Sequence, residues 1–282
     1  MTPVSVPVSV IVLTFNSAAT IGATLDSLVG LTDDVHVVDS GSTDETRSIV
    51  AAKGTKLAEH PFENYGAQRN WAIASLKLAH PWQLHLDADE RLTPELKAEI
   101  AALLGRPVDD AVGGFYVPRL VHFRGQPLRH GGMYPIYHMR LFRTGRGRCE
   151  ARKYDQHFHA DGRTEKLVHP MIDDIRLTLS EWTVRHNRWA DAEVDEILNP
   201  GGEGVIAAGS GDPVAEKRRA RGWYYRAPLF ARAFALFFYR YVIRLGFLDG
   251  KDGLVFYVLQ TLWFRFLVDA KLRERLKAEG KR

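Results

Sequence analysis

Along its first hundred or so residues the chain alternates short apolar runs with longer stretches of helical spacing. Residues 8–16, VSVIVLTFN, are β-branched and apolar up to a polar end. Such a run predicts a strand buried on both faces, as in a parallel sheet. A helix is predicted over 18–29, with Ser17 as its cap. The pattern then repeats. DVHVVDSGSTDET (34–46) predicts a strand, a Gly/Ser/Asp turn and a helix from Asp44 to Lys53. KLAEHP (56–61) predicts a weaker strand, and residues 66–79 have helical spacing. WQLHLDADE (82–90) predicts the next strand, and TPELKAEIAALL (93–104) a helix with Thr93 as cap and Pro94 at its first position. This alternation predicts an α/β fold with a parallel sheet and right-handed crossovers.

Strand patterns return at 113–125 and 136–143. Residues 146–169, rich in His, Arg and Asp, have no clear period and are expected as loops. Residues 181–198 predict a helix, and 199–213, with five glycines and two prolines, a linker. The expected organisation is an α/β domain over 1–198, the Gly-rich linker over 199–213 and a basic helical region over 214–282.

In that last region APLFARAFALFFYRYVIRL (227–245) is apolar except for its arginines. Arg226, Arg232, Arg240 and Arg244 fall within one arc of about 120° on a helical wheel. FLDGKDG (247–253) predicts a turn with Asp252 as cap, followed by an apolar helix over 254–268 and a charged one to the end. No run of about 20 uncharged apolar residues predicts a clean spanning helix. KRRARGWYYR (217–226) adds five positive charges and no negative one. Residues 217–268 therefore predict an interfacial anchor on an anionic membrane surface. A homodimer interface and packing on the α/β domain are the alternatives. Nucleic acid is not an expected partner, because no recognition motif accompanies the basic cluster.

Composition narrows the setting. The chain has 282 residues, 45% hydrophobic and 26% charged, a globular balance with a formal charge of only +4. Cys149 is the single cysteine, which excludes an intramolecular disulfide and a multi-thiolate zinc site, and fits a reducing compartment. MTPVSVPVSVIVLTFN carries no positive charge before its apolar run and reads as a strand rather than a signal peptide.

In parallel α/β sheets ligands bind beyond the carboxyl ends of the strands. Thr14, Asn16, Asp39, Asp87 and Asp89 are expected on that rim. Asp87 and Asp89 alternate, so an ideal strand turns both to one side. Crowded carboxylates repel unless something positive lies between them. A hard-oxygen site for Mg2+ or Mn2+, open to phosphate oxygens, is one answer. A basic side chain, or a solvated acidic turn before a helix, are the others. With no Walker loop and no G-x-G-x-x-G after the first strand, phosphate binding falls to metal and side chains.

TFN (14–16), VVDSGSTDET (37–46), GAQRN (66–70) and LDADE (86–90) occur in that order. As a set they resemble the nucleotide-sugar domain of the family-2 glycosyltransferases, over about residues 7–180. RHNRWADAE and YRYVIRLGFLDGKDG resemble a bacterial branch of lipopolysaccharide-core and exopolysaccharide sugar transferases. The resemblance implies the GT-A fold, Rossmann-like, with a mostly parallel sheet flanked by helices. It implies an inverting, metal-dependent transfer, with Mg2+ or Mn2+, from a nucleotide-diphosphate sugar donor. The implied acceptor is a lipid-linked saccharide or polysaccharide precursor, at the cytoplasmic face of the bacterial inner membrane.

By the same resemblance Thr14, Phe15 and Asn16 line the base and ribose pocket, and Asp39 hydrogen-bonds the base or ribose. Ser42 and Asp44 shape the next turn, Arg69 reaches the base or diphosphate, Asp87 lies near ribose and metal, and Asp89 ligates the metal. The acceptor hydroxyl needs a general base. Asp155 is the first choice, with Asp161 and Glu165 behind it; where related core transferases carry a His-Glu pair, this chain has Asp155 and Gln156. His157, His186 and Trp189 are candidates for contact with the acceptor sugar, with core packing the alternative for Trp189, and His157, His159 and His169 raise either a second metal site or hydrogen bonding and acceptor contact. A metal-using nucleotidyltransferase and a non-catalytic membrane scaffold are the competing classes.

Overall fold

The computed structural model describes residues 6–151, 156–199 and 213–280. They divide into two compact units. The first holds the described residues up to Val121, with Ile136–Ala151 and Gln156–Asp174; the second holds His122–Pro135 and the described residues from Ile175 onward.

The first unit opens with β1 (Val8–Thr14), α1 (Ile21–Leu28), β2 (Val35–Asp39), α2 (Thr46–Ala52), β3 (Lys56–Glu59), α3 (Tyr65–Ser75) and β4 (Trp82–Asp87). Strands β3, β2, β1 and β4 lie side by side in that order, all parallel. Every residue of β1 is buried, which explains its lack of polar alternation. Val10 and Val12 pack with Leu25 of α1 and Leu84 of β4, while Ile11 and Leu13 pack with Val38 of β2 and Ala72 of α3. Alternate side chains of one strand thus serve two cores.

After β4 come β5 (Glu90–Leu92), α4 (Pro94–Leu104), β6 (Val112–Phe123), β7 (Gln126–Pro127), β8 (Ile136–Arg143), β9 (Gly147–Cys149), β10 (Phe158–Ala160), β11 (Arg163–Lys166) and β12 (Met171–Ile175). The sheet continues from β4 through β8, β6 and β12 to β5, with β8 antiparallel to both β4 and β6. From β6 to β12 no helix intervenes among the described residues, and antiparallel pairing extends the parallel half into a mixed sheet. Only Ala88 and Asp89 separate β4 from β5, yet β5 ends the path, so the sheet curls back on itself.

Local signals hold in part. Thr93 accepts the Leu96 amide at 3.1 Å and Pro94 opens α4. Ser17 does not cap α1: the helix starts at Ile21, and the Ser17 amide donates to the Thr46 hydroxyl at 2.7 Å. Segment 146–169, expected as loops, contains β9, β10 and β11, which are too short to show a period.

The second unit contains α5 (Leu179–Leu198), α6 (Pro213–Arg226), α7 (Ala231–Phe238), α8 (Gly250–Tyr257) and α9 (Phe264–Ala278). Thr178 and Glu181 form a capping box at the start of α5. Ala190 and Val194 of α5 pack on Phe264, Val268 and Leu272 of α9. A π-helical turn carries α7 on through Tyr239–Ile243, and another joins α8 to α9. The expected cap Asp252 instead pairs with Arg124 at 3.2 Å. Asp249 occupies the cap position, buried, and accepts the amides of Arg129 and His130 and the Tyr257 hydroxyl. The four arginines do not form one arc of a single helix, because Arg226 ends α6 and Arg232 of α7 is buried in an ion pair with Asp269 at 2.5 Å. Of the expected linker, residues 200–212 lie outside the described residues.

Candidate functional site

β1 lies between β2 and β4, and the register sets Thr14 level with Asp39 and Leu13 level with Asp87. The carboxyl ends of three neighbouring strands therefore form one rim, as chain alternation predicts. Asp39 is fully buried there. Its Oδ2 accepts the amides of Gly41 (3.1 Å) and Ser42 (2.9 Å) and the Nε of Arg47 (2.9 Å), and its Oδ1 accepts the Ser42 hydroxyl. Burial alone would raise the Asp39 pKa, but Ser42, Arg47 and Gly41 together hold it below the usual carboxylate range. These contacts make Asp39 the anchor of the turn after β2.

Ser42 passes the connection onward, accepting the Asn16 amide at 2.8 Å. Asn16 has φ 46°, a left-handed conformation that Asn tolerates better than most residues. Asp44 accepts the amides of Ala18 and Thr46, both at 3.0 Å. Ser42 and Asp44 thus shape the turn and also tie it to the loop after β1. Phe15 stands exposed on this rim. The Thr14 hydroxyl is buried beside it with no hydrogen-bond partner among the described residues. A buried hydroxyl of this kind calls for an explanation, and a polar ligand supplies one.

The acidic run is arranged differently from the strand expectation. β4 ends at Asp87, and Asp89 lies in the turn before β5, so strand alternation does not extend to it. Arg69 of α3 donates to both Asp87 oxygens, at 3.0 and 3.1 Å. Arg140 of β8 donates to Asp87 at 2.9 Å and to Glu90 at 2.5 Å. The repulsion inside LDADE is therefore answered for Asp87 and Glu90 by two arginines, and the crowding does not by itself require a metal. Burial would raise the Asp87 pKa, but Arg69 and Arg140 hold it well below the ordinary range. For Glu90, burial outweighs Arg140 and the pKa is raised.

Asp87 remains partly exposed, with 31% of its side chain accessible. Among the described residues no group of three or more His, Cys, Asp or Glu side chains is arranged to hold a metal. A turn offering one or two carboxylates, with phosphate and water completing the set, still fits Mg2+ or Mn2+, which seldom occupy all-protein cages.

The base candidates separate sharply. Asp155 lies outside the described residues. Asp161 pairs with Arg148 at 3.0 Å, and its amide donates to the Arg146 carbonyl. That position adjoins Gly113 and the end of the sheet where β4 begins, opposite the rim. Glu165 is level with Phe115 on β11, with β6 and β8 between it and β4, and binds Arg163 at 3.1 Å. Strand spacing alone puts it roughly 14 Å from β4. Neither carboxylate reaches the rim.

His157 and His159 flank a fully buried carboxylate that the sequence did not flag, Glu150, at 3.4 and 3.5 Å. His169 lies elsewhere, its amide donating to Glu99 of α4, so the three histidines do not converge. In the second unit His186 is packed in the interior, stacked on Trp182 at 3.3 Å between ring centroids. Trp189 is half-buried against the same α5–α9 core. Both side chains pack in the α5–α9 core. Arg140, which holds the acidic turn, was missed. The only signal was an arginine inside the apolar strand IYHMRLF.

A family model described as "Glycosyl transferase family 2" matches residues 9–175. The lipopolysaccharide core biosynthesis glycosyltransferase LpsC of Rhizobium meliloti is 27% identical over 208 residues, covering 69% of this chain and 73% of LpsC. An uncharacterized glycosyltransferase of Rickettsia typhi is 32% identical over 118 residues, 42% of this chain and 40% of that protein. The matched stretch thus spans less than half of that rickettsial relative. Among solved structures, the mannosyltransferase PcManGT of Pyrobaculum calidifontis, in complex with GDP-Man and Mn2+, superposes with a TM-score of 0.54 at 17% identity. That match covers 97% of this chain and 88% of PcManGT, a likeness of fold.

Proposed function

The chain belongs to glycosyl transferase family 2, and on that premise we propose that it is an inverting glycosyltransferase using a nucleotide-diphosphate sugar. The observation that carries this reading is the rim itself: Thr14, Phe15 and Asn16, the Asp39–Asp44 turn, Arg69, Asp87 and Asp89 gather at the carboxyl ends of β1, β2 and β4. Phe15 offers an exposed ring for the base, and Thr14 an unused hydroxyl. Asp39 acts by fixing the loop that Asn16 leans on. Arg69 presents positive charge toward the diphosphate while its position is held by Asp87.

Asp89, with Asp87 beside it, would hold the divalent ion, which when bound offsets charge developing on the leaving phosphate. Inversion needs a base on the acceptor side. With Asp161 and Glu165 away from the rim, Asp155 remains the proposed base. The proposed acceptor is a lipid-linked saccharide or lipopolysaccharide precursor, which the similarity to LpsC supports.

The second unit is proposed to sit peripherally on the cytoplasmic face of the inner membrane. Residues 217–248 contain no Asp or Glu, and Phe234, Phe238, Tyr239, Ile243, Phe247 and Leu248 are exposed among them. The run Gly246–Ala278 is long and apolar enough to cross a membrane by length and composition. Its α9 part, however, buries Val268, Asp269 and Leu272 against α5 and α7, which favours lying in the interface over spanning.

Calorimetry with UDP and GDP, with and without Mn2+, tests the donor site, and product analysis separates nucleoside diphosphate release from pyrophosphate release. Asp89→Ala is expected to abolish Mn2+-dependent binding with unchanged thermal unfolding. Tight Mn2+-dependent binding by that variant would overturn the metal assignment, and pyrophosphate release by the wild type would overturn the reaction class.

A further inference from the structure

The turn that carries Asp89 is held from four directions. The Thr24 hydroxyl of α1 donates to the Ala88 carbonyl at 2.8 Å, and the Asp174 amide of β12 donates to the Asp89 carbonyl at 2.9 Å. Arg69 of α3 holds Asp87 from one side and Arg140 of β8 from the other. Glu90 closes the turn on itself by accepting the Asp87 amide at 3.0 Å.

Arg140 occupies the centre of this arrangement. It is 4% exposed, and a single terminal nitrogen bridges Asp87, which begins the turn, and Glu90, which ends it. Arg69 and Arg140 thus set two positive charges against the carboxyl groups of Asp87 and Glu90. The guanidinium achieves this bridge while its Nε–H has no hydrogen-bond partner among the described residues. A buried donor left unmade is costly, because its desolvation is not repaid. A core arginine kept for stability alone has no reason to accept that cost, because an apolar residue of similar volume is often no worse.

We infer that Arg140 is the positioning residue of the donor site. By clamping Asp87 to Glu90 it sets the geometry of the turn between them, and so the direction from which Asp89 meets a divalent ion and the diphosphate. This rests on the donor-site reading above. Residues that orient metal ligands without touching the metal typically change affinity by about 10- to 100-fold.

The test is the Mn2+ concentration that half-saturates UDP or GDP binding, read by calorimetry together with the unfolding temperature. Arg140→Met alone leaves two carboxylates facing one cation and is expected to unfold earlier. The double variant Arg140→Met/Glu90→Gln restores charge balance. It is expected to recover most of the lost thermal stability while its Mn2+ midpoint stays raised by about 10-fold or more. A folded double variant with the wild-type midpoint would show that Arg140 is only a structural counter-charge. Wild-type protein that binds neither nucleotide in an Mn2+-dependent way would overturn the donor-site reading, and this inference with it.

Discussion

The side-chain oxygen of Asn16 accepts the backbone amide of Thr43 at 2.8 Å, joining the loop after β1 to the loop after β2. Asn16 makes this bond from a left-handed backbone conformation, φ 46°. Asn16→Gly keeps access to that conformation and removes the tie. On the proposed function, nucleotide affinity should fall about 10-fold, or about 1.4 kcal/mol. Asn16→Ala should lose more, since it adds left-handed strain of about 1–2 kcal/mol. Calorimetry with UDP or GDP and Mn2+ measures both, and wild-type affinity in Asn16→Gly would show that the tie does not shape the pocket.

Arg232 and Asp269 form the buried pair that joins α7 to α9. Arg232→Met leaves Asp269 buried and uncompensated, which should cost about 3–5 kcal/mol. Arg232→Met/Asp269→Leu removes both charges and should regain most of that loss in denaturant unfolding. Equal destabilisation by the single and double variants would mean that the pair's packing, not its charge, matters.

His186 gives the second unit a defined response to acid. Burial is the largest cause pulling its pKa down from 6.5 to about 4, with Arg185 and Arg265 adding to it. Between those values the unfolded chain binds a proton at this position and the folded unit does not, so stability falls as pH drops from 6.5 toward 4. The full contribution is at most about 3 kcal/mol. His186→Gln should flatten this part of the stability-versus-pH curve. An unchanged slope would place the acid sensitivity elsewhere, for example at His85, whose pKa burial also depresses strongly.

Vesicle co-sedimentation checks the membrane reading. The wild type should bind vesicles containing anionic phosphatidylglycerol, bind phosphatidylcholine poorly, and release as salt rises. Phe238→Ser/Ile243→Ser/Phe247→Ser, all at exposed positions, should lose binding without lowering the unfolding temperature. Retained binding would refute insertion of this segment. A fall in molar mass for the variant by analytical ultracentrifugation would point instead to a homodimer face.

The N-terminal half of the fold was legible because its signals are local. Seven consecutive buried residues in β1 and 3.6-spaced segments between the strands need no distant partner to be recognised. The rim was legible for a related reason: right-handed crossovers force the carboxyl ends of consecutive parallel strands to one edge. Thr14, Asp39 and Asp87 therefore fall together on chain alternation alone. Their partners do not. Which cation answers Asp87, that Asp39 spends its oxygens on its own loop, that Asp161 lies at the wrong end of the sheet, and that Arg232 is buried all depend on pairings between residues far apart in the chain. Composition and periodicity record how much charge and apolar surface a segment carries. Only the packed structure decides which charges meet, because electrostatic pairing depends on through-space distance and burial rather than on sequence spacing.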